Sequence, residues 1–275
     1  MMLEPPPRPD LRRDGSPIGA PQEPGSTAAT LPDGRVKVSW RFLPTVGFVV
    51  LGFMMGSLAA APVFAVLGDT SEAGASGFSE LAQGIVVDVA LVGTLVVWLR
   101  ARHRGWREAL RLLPARGVAK EIAIGAGLGV AVRIVAGIAA AIVIAVLASV
   151  TGEEVAVPEQ VVGDLRGVEL VVFALFAAVV APITEEFVFR GLIYRSIRDR
   201  FGVALGAVVS ALLFGAIHYV PGPWPDALAL QITMVVTGIG LAIVYERRKT
   251  LLSPIAGHAA FNLIAVVVIV FDALR

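Results

Sequence analysis

There is no cysteine in this chain. Disulfides, thiolate nucleophiles and thiolate-ligated metals are excluded at once. Charge is scarce as well: 16% of the 275 residues are charged, against about 25% in an ordinary soluble domain. The two signs nearly cancel, with 23 Lys and Arg facing 22 Asp and Glu. No basic excess exists to recruit nucleic acid, and no nucleic-acid partner is expected. The first 40 residues lack the charged start, apolar centre and small-residue cleavage site of a secretory leader. The first apolar segment is therefore expected to act as its own insertion signal.

What is abundant is apolar side chain, 56% of the sequence. It falls into blocks of about 18 to 28 residues, the length that crosses a bilayer. Seven blocks occur, at 43–67, 81–99, 122–150, 168–189, 203–219, 228–245 and 254–271. The expected fold is all-α, a polytopic transmembrane helical bundle of about seven spans plus an amphipathic interfacial helix, with the lipid bilayer as its partner. That extra helix lies in the basic 100–120 loop. Trp106, Leu110 and Leu113 share one face there, and Arg104, Arg107 and Arg111 the other, which predicts a brace lying in the headgroup region. Gly125, Gly129 and Gly137 predict close helix packing in the third span. No internal repeat is present, which argues against an inverted-repeat transporter.

Residues 1–40 differ from the rest. They hold eight of the 17 prolines, with PPPRP at 5–9, and cannot bury enough apolar surface to offset their ordering entropy. They are expected to form a disordered, Pro-rich cytoplasmic tail. Residues 41–160 then form an N-terminal region of three spans and the interfacial helix, and 161–275 form a C-terminal core. Lys and Arg gather in the tail, in 100–120, in 190–200 and in 247–249, whereas Asp69, Glu72, Glu153, Glu154, Glu159, Asp164 and Asp226 occupy the alternate loops. This alternation predicts a cytoplasmic (plasma) membrane protein with its N-terminus in the cytoplasm and its C-terminus outside.

Ionisable groups inside a span cost about 2.5–3.5 kcal/mol each on insertion scales, so each needs a partner or a task. Asp88 and Arg133, in the second and third spans, are expected to pair with each other. The rest form three short motifs. In Glu185-Glu186-x-x-x-Arg190 the second acid and the base are four residues apart, the favoured order for an ion pair on one helical face. Glu185 is turned about 100° away and is free to act elsewhere. Phe214-x-x-x-His218 is the second motif. His258-x-x-x-Asn262 is the third, with imidazole and amide one turn apart. Only three histidines exist, and the remaining one, His103, sits in the basic loop.

The motifs can meet. Glu186 lies sixteen residues before Gly202 and His218 sixteen after it, so an antiparallel hairpin turning at Phe201–Gly202 brings them to one height. Its Arg-rich tip would project into the cytosol, and the fifth helix would then stop short of the far membrane face. A carboxylate beside an imidazole can take a proton from water, and a facing imidazole and amide can stabilise an oxyanion. The same donors, His218, His258 and Glu185, could instead hold zinc. The HExxH helix of zinc proteases and a Gly-x-Ser-x-Gly nucleophile site are both absent from the sequence.

EEFVFR at 185–190, FGAIH at 214–218 and HAAFN at 258–262 together resemble the signature motifs of the CPBP family of intramembrane proteases. That family, also called Abi, includes the type II CAAX prenyl endopeptidases and the bacteriocin-processing and immunity-related proteins. The resemblance covers about 168–271 and identifies 161–275 as a CPBP-like catalytic core. It implies an endopeptidase that hydrolyses a peptide bond of a membrane-associated protein or peptide. In that role Glu185 activates water with His218, His258 and Asn262 stabilise the oxyanion, and Glu186 and Arg190 form a supporting ion pair. A glutamate-dependent mechanism needs no cofactor; the metalloendopeptidase alternative would use zinc. Two other functions fit the same sequence: a non-catalytic immunity or assembly protein of this fold, and a proton-coupled transporter.

Overall fold

The computed structural model describes residues 29–67, 75–114, 117–156 and 167–273. The regular structure among them is helical, apart from one isolated antiparallel bridge between Thr30 and Val36. The helices are α1 (Phe42–Leu67), α2 (Ala75–Arg102), the short α3 (Trp106–Leu110), α4 (Val118–Thr151), α5 (Val168–Phe201), α6 (Val203–Ile217), α7 (Trp224–Arg248) and α8 (Leu252–Ala273). Apolar side chains point outward along much of this bundle: Leu58, Val150 and Val168 are each more than 75% exposed. An outward apolar surface of this extent belongs in lipid, and the protein is an integral membrane protein.

Among the described residues five helices, α1, α2, α4, α5 and α7, are long and apolar enough to cross a bilayer. The expected count of seven is therefore not reached on length alone. α8 runs 22 residues, Leu252–Ala273. α6 has 15 residues, about 22 Å of helix against a hydrocarbon core of about 30 Å. The expected span at 203–219 ends early because Pro221, Pro223 and Pro225 follow it and cannot continue a helix. The chain still reaches the other end of the bundle, since the amide of Ala156, past α4, donates to Asp226 in the first turn of α7.

Small residues set the helix spacing. A Cβ on Gly129 would lie 2.0 Å from the carbonyl oxygen of Gly257, and one on Gly125 2.5 Å from that of Ser253. α4 and α8 thus touch backbone to backbone, next to His258. Gly137, expected to do the same, has nothing within 4 Å. Gly52 and Gly56 bring α1 onto Leu91 and Val87 of α2. Because α4 packs on both α7 and α8, the N-terminal helices and the C-terminal core share one interior. The core centres on α5, whose residues Phe187–Tyr194 are all buried, against Leu95, Leu99, Leu110, Phe214 and Tyr245.

The interfacial helix is shorter than its sequence pattern. Gly105 enters it at φ 74° and Arg111 leaves it at φ 47°, both left-handed, so Leu113 lies beyond the helix and is exposed. Leu110 is fully buried, and the carbonyl of Ala109 accepts from Arg195. This single helical turn clamps α5.

The segment read as a tail is packed from residue 29 onward; residues 1–28 lie outside those described. Arg35 and Trp40 are almost fully buried. Arg35 bonds Asp33 and Glu246, and Arg198 bonds the same two carboxylates. Arg195 donates to Asp199 and to the carbonyl of Val36. The hairpin tip therefore does not project as free charge: Arg195 is fully buried and Arg198 nearly so. Burial alone would raise the Asp33 carboxyl, but hydrogen bonds from Arg35 and Arg198 hold it well below the ordinary carboxylate range.

Candidate active site

α5 is not a uniform α-helix. Two π-helical stretches, Phe176–Val180 and Phe187–Tyr194, flank the α-helical turn Ala181–Glu186. Such widened turns concentrate at functional sites, and these two bracket the paired acids. Glu186 and its partners are buried: its Oε1 accepts from Arg190 at 2.8 Å and from His258 Nδ1 at 3.0 Å. Arg190 also donates to the carbonyl of Gly238 at 3.1 Å and stacks over the Phe214 ring at 4.6 Å. A cation this deep is tolerable only with a carboxylate and further acceptors around it.

Glu185 points away from this pair, as adjacency on a helix requires. Its Oε2 lies 3.8 Å from His218 Nε2 and 3.9 Å from His258 Nε2. That oxygen is buried and accepts no hydrogen bond from the described residues. The register behind the first contact is the hairpin read from the sequence. Gly202 makes the turn at φ 95°, a conformation suited to glycine, and α6 runs back beside α5 until His218 ends it.

Each imidazole has one ring proton placed by its Nδ1 contact. His218 Nδ1 is 2.7 Å from the Phe214 carbonyl oxygen, which can only accept, so Nδ1 carries the proton and Nε2 presents a lone pair towards Glu185. His258 Nδ1 faces the Glu186 carboxylate and likewise donates. Phe214 touches His218 at 4.6 Å, His258 at 5.8 Å and Arg190. It is the ring on which the site is assembled. Its fixed spacing from His218 was the signal, although no role could be read from it.

Asn262 is not in hydrogen-bond contact with Glu185 or with either histidine. Its Nδ2 donates at 2.8 Å to the carbonyl of Ala177 in the first π stretch, where the helix has lost its regular ladder. One N–H of the amide remains for another partner.

The expected ion pair between Asp88 and Arg133 is not formed. Arg133 sits 4.7 Å over the Phe261 ring and reaches that residue's carbonyl at 3.5 Å. Asp88 lies beside Thr184 and near Glu185. α4 lies against α7 and α8, whereas α2 faces α1 and α5, so the two charges are held by different helix pairs. Asp88 is thus an acid of the site's surroundings that the sequence reading placed elsewhere.

As placed, the residues do not fit a zinc site. Tetrahedral ligands at about 2.0–2.2 Å from zinc sit about 3.4 Å from one another, closer than the separations here. Among the described residues no three His, Asp or Glu have metal-site spacing. The arrangement instead offers a carboxylate oxygen and an imidazole lone pair, two acceptors 3.8 Å apart. Two acceptors at that distance can share one water molecule, which donates a proton to each.

Residues 167–264 match the family model described as type II CAAX prenyl endopeptidase Rce1-like. Among curated proteins, the chain is 24% identical over 116 residues to "Putative membrane peptidase YdiL" of Bacillus subtilis (strain 168). The overlap covers 42% of this chain and 44% of that protein, so the chain spans less than half of its relative's length. No solved structure gives a significant match. The matched stretch holds all six motif residues, and over it this integral membrane protein is similar to the type II CAAX prenyl endopeptidase Rce1-like family.

Proposed function

We propose that the chain is an intramembrane endopeptidase that hydrolyses a peptide bond of a membrane-associated protein or peptide. One observation carries the reading: a buried, donor-free carboxylate oxygen on Glu185 stands within 4 Å of two imidazole nitrogens. A buried charge without a partner is costly, and a hydrolytic water would give this one its task.

In the proposed reaction, water donates one hydrogen bond to Glu185 and one to His218 Nε2. Glu185 takes a proton as the water oxygen bonds to the carbonyl carbon, and the carbonyl π pair moves onto oxygen. That oxyanion is held by His258 Nε2–H and by the free N–H of Asn262. Collapse of the intermediate breaks the C–N bond, and Glu185 returns its proton to the leaving nitrogen. His258 must be an imidazolium for this role. Glu186 and Arg190 act as positioning residues, holding the His258 ring through its Nδ1.

The test is a comparison of membrane-protein fragments in cells carrying the natural chain or Glu185→Gln. The reading predicts at least one membrane-associated protein that accumulates uncut in the variant. An identical fragment pattern would contradict it. Metal analysis of the purified natural chain tests the zinc alternative separately, which requires about one bound zinc per chain.

A further inference from the structure

The basic face of the interfacial helix is left unused by the hydrolytic site. It borders two adjoining hollows at the end of the bundle where α1 begins and α2 ends. One has a volume of about 350 Å³ and is walled by Lys37, Ser39, Trp40, Arg104 and Trp106. The other, about 390 Å³, shares Arg104 and Trp106 and adds Arg100 and Arg107. Elsewhere in the fold Arg35, Arg190, Arg195 and Arg198 each contact a carboxylate, and Arg133 rests on the Phe261 ring. Lys37, Arg100, Arg104 and Arg107 have no carboxylate within 4.0 Å among the described residues. A single acid, Glu108, lines the second hollow.

The walls are as specific as the charge. Ser39 and His103 are hydrogen-bonded at 2.8 Å, and the His103 ring meets Trp98 and Trp40 edge-on at 4.8 and 5.8 Å. Burial and the neighbouring Arg102 push His103 below its ordinary pKa, so the ring is a neutral part of the wall. Arg107 lies over the Trp106 ring at 5.4 Å. Tryptophan beside unmatched cations at helix ends is the composition of a membrane–water boundary. There the available counter-anions are lipid phosphates. Leu43, in the first turn of α1, is 77% exposed and begins the lipid-facing surface along which an acyl chain would run.

We infer that the hollow between residues 36–40 and 100–108 binds the phosphodiester headgroup of an anionic phospholipid, with Lys37, Arg104 and Arg107 as its cationic contacts. The same segment is bonded to the catalytic helix, since Trp40 Nε1 donates to Leu192 O and Arg195 to Val36 O. A seated lipid therefore also braces α5. The test titrates the purified full chain, in neutral detergent, with dioleoyl-phosphatidylglycerol, dioleoyl-phosphatidylcholine or sodium phosphate, counting bound molecules by native mass spectrometry. Phosphatidylglycerol is expected to bind at least about tenfold tighter than phosphatidylcholine. K37Q/R104Q/R107Q should weaken it by roughly a hundredfold. The charge-matched K120Q/R200Q/R247Q, all outside the hollow, should stay within about threefold of the natural chain. Equal weakening in both triple variants would overturn the site, as would no weakening in the first. Binding of sodium phosphate as tight as that of phosphatidylglycerol would overturn its assignment to lipid. Thermal unfolding of each variant shows that it has kept its fold.

Discussion

Two buried charge networks lie along α5, and they are built in opposite ways. At the hairpin tip, every carboxylate is saturated. Asp33 accepts from Arg35 and Arg198, Glu246 from Arg35, Arg198 and Tyr194, and Asp199 from Arg195 and the amide of Val38. Half a helix away, Glu186 bonds Arg190 and His258 through Oε1 while its buried Oε2 has no partner, and Glu185 beside it accepts from nothing among the described residues. Of the two open oxygens, only that of Glu185 faces the Nε2 atoms of both histidines, at 3.8 and 3.9 Å, and under the proposed function it is the one that binds and deprotonates water.

That contrast can be broken at several points. The largest effect is expected from His218→Ala, which removes the lone pair facing Glu185. Cleavage should fall by about a thousandfold, within the range for loss of an acid–base partner, with the thermal unfolding midpoint little changed. Glu186→Gln should do the reverse of sparing the fold. It leaves Arg190 buried without its counter-charge, a loss of about 3–5 kcal/mol readable by denaturant unfolding of the purified protein.

A smaller effect is expected at the α4–α8 crossing. Gly129→Ala places a methyl carbon where 2.0 Å separates it from the Gly257 carbonyl oxygen. Overpacking of this kind costs about 1–3 kcal/mol. Because His258 follows Gly257, α8 must shift and cleavage should slow along with the loss of stability. A variant that cleaves normally would show that His258 tolerates displacement.

The smallest effect sharpens the tip network by pH. The folded Asp33 carboxyl lies below its unfolded value of 3.8. Its stabilisation is therefore complete above about pH 4 and is lost as pH falls further through the folded value. Protection of the amides of residues 36–41 from exchange, relative to their intrinsic rates, should fall on acidification below that point, and Asp33→Asn should show the lower protection already at neutral pH. Exchange that is insensitive to the substitution would remove Asp33 from the strap.

Much of the site was legible because helical registers are arithmetic. Sixteen residues on each side of Gly202 bring α5 and α6 to the same height, and four-residue spacings put Glu186 with Arg190 and Asn262 on the face of His258. What was not legible depends on which helices are neighbours. Asp88 and Arg133 are both midway along spans, but a hydropathy pattern does not say that α2 faces α5 while α4 faces α8. Arg35 shows the same limit. Its local partner, Asp33, is two residues away, whereas the second, Glu246, is 211 residues away. A proline-rich composition gives no hint that such a contact will order the segment. α6 stops short, as the hairpin register implied: the apolar run continues through Tyr219 and Val220, but the helix ends before the prolines beyond.

The central claim is that Glu185 is held open for catalysis and contributes little to holding the fold. Its most direct test is a paired measurement on Glu185→Gln: the rate of cleavage of a peptide identified by the fragment comparison, and the unfolding midpoint of the same purified sample. The account predicts cleavage lower by about a thousandfold or more with an unfolding midpoint equal to or above that of the natural chain. Undiminished cleavage would contradict it, and so would a loss of activity that only follows a loss of the fold.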